Sequence, residues 1–161
     1  MLRGRNRFVV LLVFLFAATS HDVAADDRHA GYYYPEPESQ ETYQARALTL
    51  EQANRSVRIG FVTGLANQLL ARPHAPTLAI FAKGADAEKL ILVALEDGRV
   101  ETLYRARGVF ANLTSIARIM PIFEDYGVQE VFTFFDLAKM LGFTQITISD
   151  GRDFAHQVII E

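Results

Sequence analysis

Gln145-Ile146-Thr147-Ile148-Ser149-Asp150-Gly151-Arg152-Asp153-Phe154-Ala155-His156-Gln157-Val158-Ile159-Ile160 decides the fold. Polar and apolar side chains alternate over Gln145–Ser149, the period of a half-buried strand. Asp150-Gly151 is a strong hairpin turn pair. Residues 154–160 return as the next strand, with Phe154, His156, Val158 and Ile160 on one face and Ala155, Gln157 and Ile159 on the other. A second hairpin lies upstream. Residues 77–83 and 89–95 are short, rich in Ile, Leu and Val, and separated only by the loop Gly84-Ala85-Asp86-Ala87.

Between and before these hairpins the period changes to that of a helix. Thr49 with Gln52 three residues on has the form of a capping box. Leu50, Ala53, Val57, Phe61, Leu65 and Leu69 then share one helical face, and the helix stops by Arg72 because Pro73 cannot continue it. Gly60 and Gly64 sit inside it at about 1 kcal/mol each relative to Ala, and offer a smooth face to a close neighbour. A strand over residues 58–63 followed by a shorter helix is the alternative. Leu103, Ala106, Phe110, Leu113, Ala117 and Met120 predict a second helix, which Pro121 breaks or restarts. Residues 123–126 give one further turn, ended by Gly127, and residues 128–132 fit a strand or a loop. Residues 134–141 read as a helix with Thr133 as N-cap and Gly142 just past its end. The expected fold is α+β: a four-stranded, largely antiparallel sheet of two hairpins, covered by about three helices. It occupies residues 49–161 as a single domain.

The first residues have a different character. Arg3, Arg5 and Arg7 precede an apolar run over residues 8–18 that is too short to span a bilayer, which takes about 20 residues. Val23-Ala24-Ala25 suits signal peptidase, so residues 1–25 read as a signal peptide, with cleavage after Ala25 or, as the second choice, after Ser20. A periplasmic or secreted protein is expected. Residues 26–48 read as an extended arm, with Pro35, Pro37 and the triplet Tyr32-Tyr33-Tyr34. Those tyrosines either contact a partner or lie back on the domain and cover apolar surface.

The whole chain has a net charge of −3. Without residues 1–25 there are 13 basic against 18 acidic residues, or −5. That balance argues against nucleic-acid binding. There are no cysteines, which excludes disulfides, thiolate metal sites and cysteine nucleophiles. The domain folds on its apolar core alone; half the residues of the whole chain are apolar, and nine of its twelve Phe fall within residues 49–161.

No glycine-rich phosphate loop, nucleophile elbow or zinc-protease pattern is present, and His29, His74 and His156 have no partner at metal-ligand spacing. No metal and no cofactor is expected. The strongest catalytic cluster is Ser149, Asp150, Asp153 and His156, with His156 as base and Asp153 orienting it. Ser149 and Asp150 are also ordinary turn residues. Lys83 and Gly84 offer an anion site through the lysine and loop N–H groups, set against a plain solvated turn. Arg99, Arg105, Arg107 and Arg118 lie on or near the second helix, with Arg107 and Arg118 facing solvent. Asn54-Arg55-Ser56 and Asn112-Leu113-Thr114 match the glycosylation sequon but fall inside predicted helices.

The runs Arg58-Ile59-Gly60-Phe61-Val62-Thr63-Gly64-Leu65, Ile80-Phe81-Ala82-Lys83-Gly84-Ala85 and Glu88-Lys89-Leu90-Ile91 resemble a family of small exported bacterial proteins of unknown function. Phe134-Phe135-Asp136-Leu137 and Phe154-Ala155-His156-Gln157-Val158 extend the similarity nearly to the C-terminus. Some members carry a name from molybdopterin-guanine dinucleotide biosynthesis. The transferase of that name opens on a glycine-rich nucleotide loop that this chain lacks, so the resemblance carries over no catalytic residue. It implies bacterial origin and an envelope location.

The expected function is an exported binding or protein-interaction module. The alternative is a small hydrolase or transferase using His156 with Asp153, and a more distant one is a homologue of a molybdenum-cofactor biosynthesis protein. The partner is an envelope protein or a small molecule. Few polar residues lie on strands 77–83 and 89–95, so both sheet faces are expected to be covered, and homodimerisation through the sheet or the glycine-bearing helix is expected.

Overall fold

The computed structural model describes residues 35–71 and 73–161. Residues 1–25, the expected signal peptide, and His29, Tyr32, Tyr33, Tyr34 and Arg72 lie outside the described residues. Five strands and four helices follow in the order β1 (Ser39–Tyr43), α1 (Arg55–Leu70), β2 (Leu78–Lys83), β3 (Lys89–Ala94), α2 (Leu103–Arg118), α3 (Pro121–Asp125), α4 (Phe134–Met140), β4 (Gln145–Ser149) and β5 (Ala155–Ile160). The fold is α+β.

The sheet is five-stranded and mixed, in the order β1-β5-β4-β3-β2. Both expected hairpins are present, β2 with β3 and β4 with β5, each antiparallel. They are joined to each other by a parallel pairing of β3 with β4. The three helices between those strands return the chain to the end from which β3 began, so β4 runs alongside it in the same direction. β1 is the correction to the expected four strands. It pairs parallel with β5, Ser39 opposite His156 and Tyr43 opposite Ile160. The segment read as an arm over residues 26–48 therefore carries an edge strand.

Registers place one face of the sheet in line. Ser39, Glu41 and Tyr43 align with His156, Val158 and Ile160, followed by Ile148 and Ile146, then Leu92 and Leu90, then Ile80 and Ala82. Val62, Leu65 and Leu69 of α1, Ala106, Phe110 and Leu113 of α2, and Leu137 and Ala138 of α4 join that face in one continuous core. Ile91, Val93 and Ala155 are buried on the opposite face and lie outside that core.

The helix ends show local chemistry at work. α1 begins at Asn54, whose side chain accepts the N–H of Val57, rather than at Thr49. Residues 49–53 form a turn instead, because Leu50 N–H bonds Met140 O and Ala53 N–H bonds Leu50 O. The helix runs through residues 58–63, which excludes the strand alternative. Gly60 and Gly64 face open space, so the close approach expected of them is not met among the described residues. α2 starts at Thr102, which accepts from Arg105 N–H. α3 begins at Pro121, whose missing N–H costs nothing in a first helical turn. The turn between β4 and β5 is wider than two residues. Asp150 Oδ1 accepts the N–H groups of Arg152, Asp153 and Phe154, and Gly151 takes the left-handed conformation at φ +77°.

Candidate functional site

His156 does not meet Asp153. The ring lies on the helix-covered face of β5 at 1% exposure, whereas Asp153 is exposed in the turn that Asp150 organises. Ser149 pairs with Ala155 and so points to the opposite face, where its Oγ accepts Gly151 N–H. The cluster Ser149, Asp150, Asp153 and His156 is a turn and not an assembled site. Alternation along a strand separates neighbours in sequence by the thickness of the sheet.

The ring's partners come from β1 instead. Ser39 Oγ lies 2.8 Å from His156 Nδ1. Glu41 Oε1 lies 3.3 Å from Nε2, close enough for an ion pair but outside hydrogen-bond geometry, so Nε2 is a buried nitrogen without a hydrogen-bond acceptor. Glu41 Oε2 accepts from Arg107 of α2 at 2.8 Å. Partial burial pushes the Glu41 carboxyl up, but the Arg107 guanidinium and the His156 ring outweigh it and hold the pKa below its ordinary value. Arg107 is exposed as expected, and its partner is a residue of the arm that sequence reading left without structure. A serine, an imidazole and a carboxylate thus stand in line, with an arginine behind the carboxylate.

Next to this line, a cavity of about 300 Å³ is lined by Glu41, Tyr43, Arg107, Phe110, Thr133 and Phe135 among others. The Phe135 ring lies between Tyr43 and Phe110, with ring centres 4.8 and 4.9 Å away. Asp136 binds two of the lining residues, Tyr43 and Thr133, from behind the cavity wall. It is fully buried and accepts from Thr133 N–H, Thr133 Oγ–H, Arg46 N–H and Tyr43 Oη–H. Burial pushes the Tyr43 hydroxyl above its ordinary pKa, and the Asp136 carboxylate adds to that against the opposing hydrogen bond with Thr133. Neither Ser39 nor His156 is among the residues lining this cavity.

The loop carrying Lys83 and Gly84 is filled by the chain itself. Gly84 has φ +100°, and a Cβ there would run into the Glu88 carboxylate, which folds back and accepts Asp86 N–H at 3.0 Å. The donor expected to receive an anion is given to the chain's own carboxylate.

A larger opening lies on the helical side. α1 packs on β2 and α2 packs on α4, and a space between the two long helices lies over β2. The space between them is a cavity of about 370 Å³ whose walls are mainly apolar: Leu65 and Leu69 from α1, Leu78 and Ile80 from β2, Leu113 and Ile116 from α2. A second cavity of about 320 Å³, lined by Pro73, His74, Ala75 and Pro76, shares Leu69, Thr77 and Arg99 with the first. Arg99 stands where the two meet. Its NH1 donates to Glu96 Oε2 at 3.1 Å, while its Nε is buried without a partner. This groove escaped sequence reading. Its apolar residues have the same period whether the helices touch or splay, and Arg99 reads as one more solvated cation.

Among the described residues no group of three or more His, Asp or Glu is placed to hold a metal ion, and no helix is long and apolar enough to cross a membrane. Comparison with known families, curated proteins and solved structures finds no match to this chain.

Proposed function

We propose that the chain is an exported binding module that takes a small, largely apolar ligand in the groove between α1 and α2. The observation that carries this reading is the groove itself: a concave space of about 370 Å³ with an apolar floor and a few polar groups at its rim. That is the size and character of small-molecule sites in general. The test uses a neutral apolar probe, dodecanol, with the protein and an Ile116→Trp variant. Ile116 is half-buried on the groove wall, so an indole there fills space without opening the core. Binding by the parent and its loss in a variant of unchanged thermal stability support the proposal. Equal binding by both, or none by the parent, rejects it.

A second reading is favoured by one geometry, the 2.8 Å contact of Ser39 Oγ with His156 Nδ1 and the 3.3 Å approach of Glu41 to Nε2. A base paired with a hydroxyl and faced by a carboxylate is the arrangement of a nucleophilic hydrolase. In this reading Ser39 and Glu41 replace Asp153 as partners of His156. Burst release of nitrophenol from p-nitrophenyl acetate, abolished in Ser39→Ala, is the outcome that favours it.

A further inference from the structure

We infer that the ligand of the α1–α2 groove is an anionic amphiphile, an acyl chain ending in a carboxylate, whose head group pairs with the Arg99 guanidinium. The inference rests on the groove being a ligand site. It adds which chemistry the groove selects.

Two features of the groove differ along its length. The part between the helices is walled by Leu65, Leu69, Leu78, Ile80, Leu113 and Ile116 and suits a hydrocarbon chain. The part beyond Thr77 is short and formed by the bend from Pro73 to Thr77, with His74 in its wall. A ligand filling both parts has an apolar length and a compact polar end. Arg99 lies at the junction and belongs to both walls.

The guanidinium is already half engaged. NH1 is held by Glu96, a carboxylate 61% exposed at the surface. Nε is buried and has no acceptor among the described residues. A buried donor left unmade costs free energy, and arginine presents its donors as a planar fork that suits a carboxylate. A cationic head group repels the guanidinium, and a neutral hydroxyl offers it only an uncharged acceptor. An anionic head group satisfies it. Among the described residues no carboxylate lines either cavity, and Glu96, the one that reaches Arg99, holds it from the exposed side. Thr77 and, in the neighbouring wall, His74 supply further polar atoms around the head.

The decisive experiment compares dodecanoate, dodecanol and dodecyltrimethylammonium by isothermal titration against the full mature chain and against Arg99→Gln. Because the three probes share one chain, differences between them report the head group. The expected result is dodecanoate tightest, by about ten-fold or more over dodecanol, in line with a hydrogen bond to a charged group. Arg99→Gln reduces that preference to near unity, chiefly by weakening dodecanoate. Dodecanoate and dodecanol binding equally in the parent overturns the head-group assignment while the groove reading survives. Tight binding of none of the three overturns both. The comparison among probes in the parent protein decides the matter even where Arg99→Gln folds poorly.

Discussion

Ser39 Oγ and His156 Nδ1 lie 2.8 Å apart across 117 positions of sequence, and this contact ties the first described strand to the last. It is side chain to side chain, on the covered face of a sheet edge held by backbone pairing on one flank only.

Removing that hydroxyl leaves a nitrogen of a fully buried imidazole without its partner. Ser39→Ala is expected to lower stability by about 1–3 kcal/mol, the cost of an orphaned buried polar group. Urea unfolding measures it. Proteolysis in the native state then shows cleavage near residues 39–43 before the rest of the domain, because the loss falls on the edge strand.

Asp136 is the densest polar junction of the fold. Four donors from Tyr43, Arg46 and Thr133 converge on a carboxylate at 0% exposure. Asp136→Ala strands the backbone N–H groups of Arg46 and Thr133, leaves the Tyr43 and Thr133 hydroxyls only each other at 3.0 Å, and removes the acidic cap from the first turn of α4. The expected loss is at least about 3 kcal/mol, given roughly 1.5–3 kcal/mol for each hydrogen bond to a charged group. A denaturation midpoint within error of the parent contradicts this account of the junction.

Arg58 and Gly142 are coupled through space. The Arg58 guanidinium is buried among backbone oxygens, donating from Nε to Asp86 at 2.9 Å and from NH1 to Gly142 at 3.3 Å and Leu141 at 3.4 Å. Gly142 has φ +79°, and a Cβ there would stand 2.6 Å from NH1. Gly142→Ala therefore carries about 1–2 kcal/mol of left-handed backbone strain plus the displacement of Arg58. In an Arg58→Met background the same change costs only the backbone part. A double-mutant cycle measures the difference as a coupling, and strict additivity is the contrary outcome.

Two groups set the pH dependence of stability around the β1 edge. The folded pKa of Glu41 lies below its ordinary 4.5. Its contribution is present above that value and fades as pH falls through the lower folded one. Tyr43 is shifted the other way, above its ordinary 10.0. Its contribution is present below that value and fades as pH rises through the higher folded one. Urea midpoints followed across pH are expected to drop at both ends. Glu41→Gln flattens the acid limb and Tyr43→Phe the alkaline one. Glu41 is partly exposed, so its share is reduced at high salt.

The two hairpins, α2, the start of α4 and the helix over 58–63 are legible in the sequence because each is fixed by local period and capping. Leu103 to Ala117 keeps one face for four turns, and Thr133 with Asp136 marks its helix start without help from afar. β1 is not legible. Ser39-Gln40-Glu41-Thr42-Tyr43 has no apolar alternation, because the side chains it turns inward are polar ones that meet a histidine, an arginine and an aspartate. Its partner strand begins more than a hundred residues away. The same reason hides the Ser39–His156–Glu41 line. Its members lie on two strands that only the folded sheet brings side by side, whereas Asp153, near His156 in sequence, is in an exposed turn. The groove between α1 and α2 depends on how two helices diverge, which no single helix records.

The parallel pairing of β1 with β5 also sets a clock. A chain made from its N-terminus presents Ser39–Tyr43 first and Ala155–Ile160 last. Until Ala155–Ile160 have emerged, β1 lacks its β5 partner, and the hairpin of β2 and β3 can form without it. Closing the loop between the outer strands is an entropically late step. Loss of Ala155–Ile160 thus leaves β1 and one edge of β4 without their partner at once, and exposes both to association with other chains.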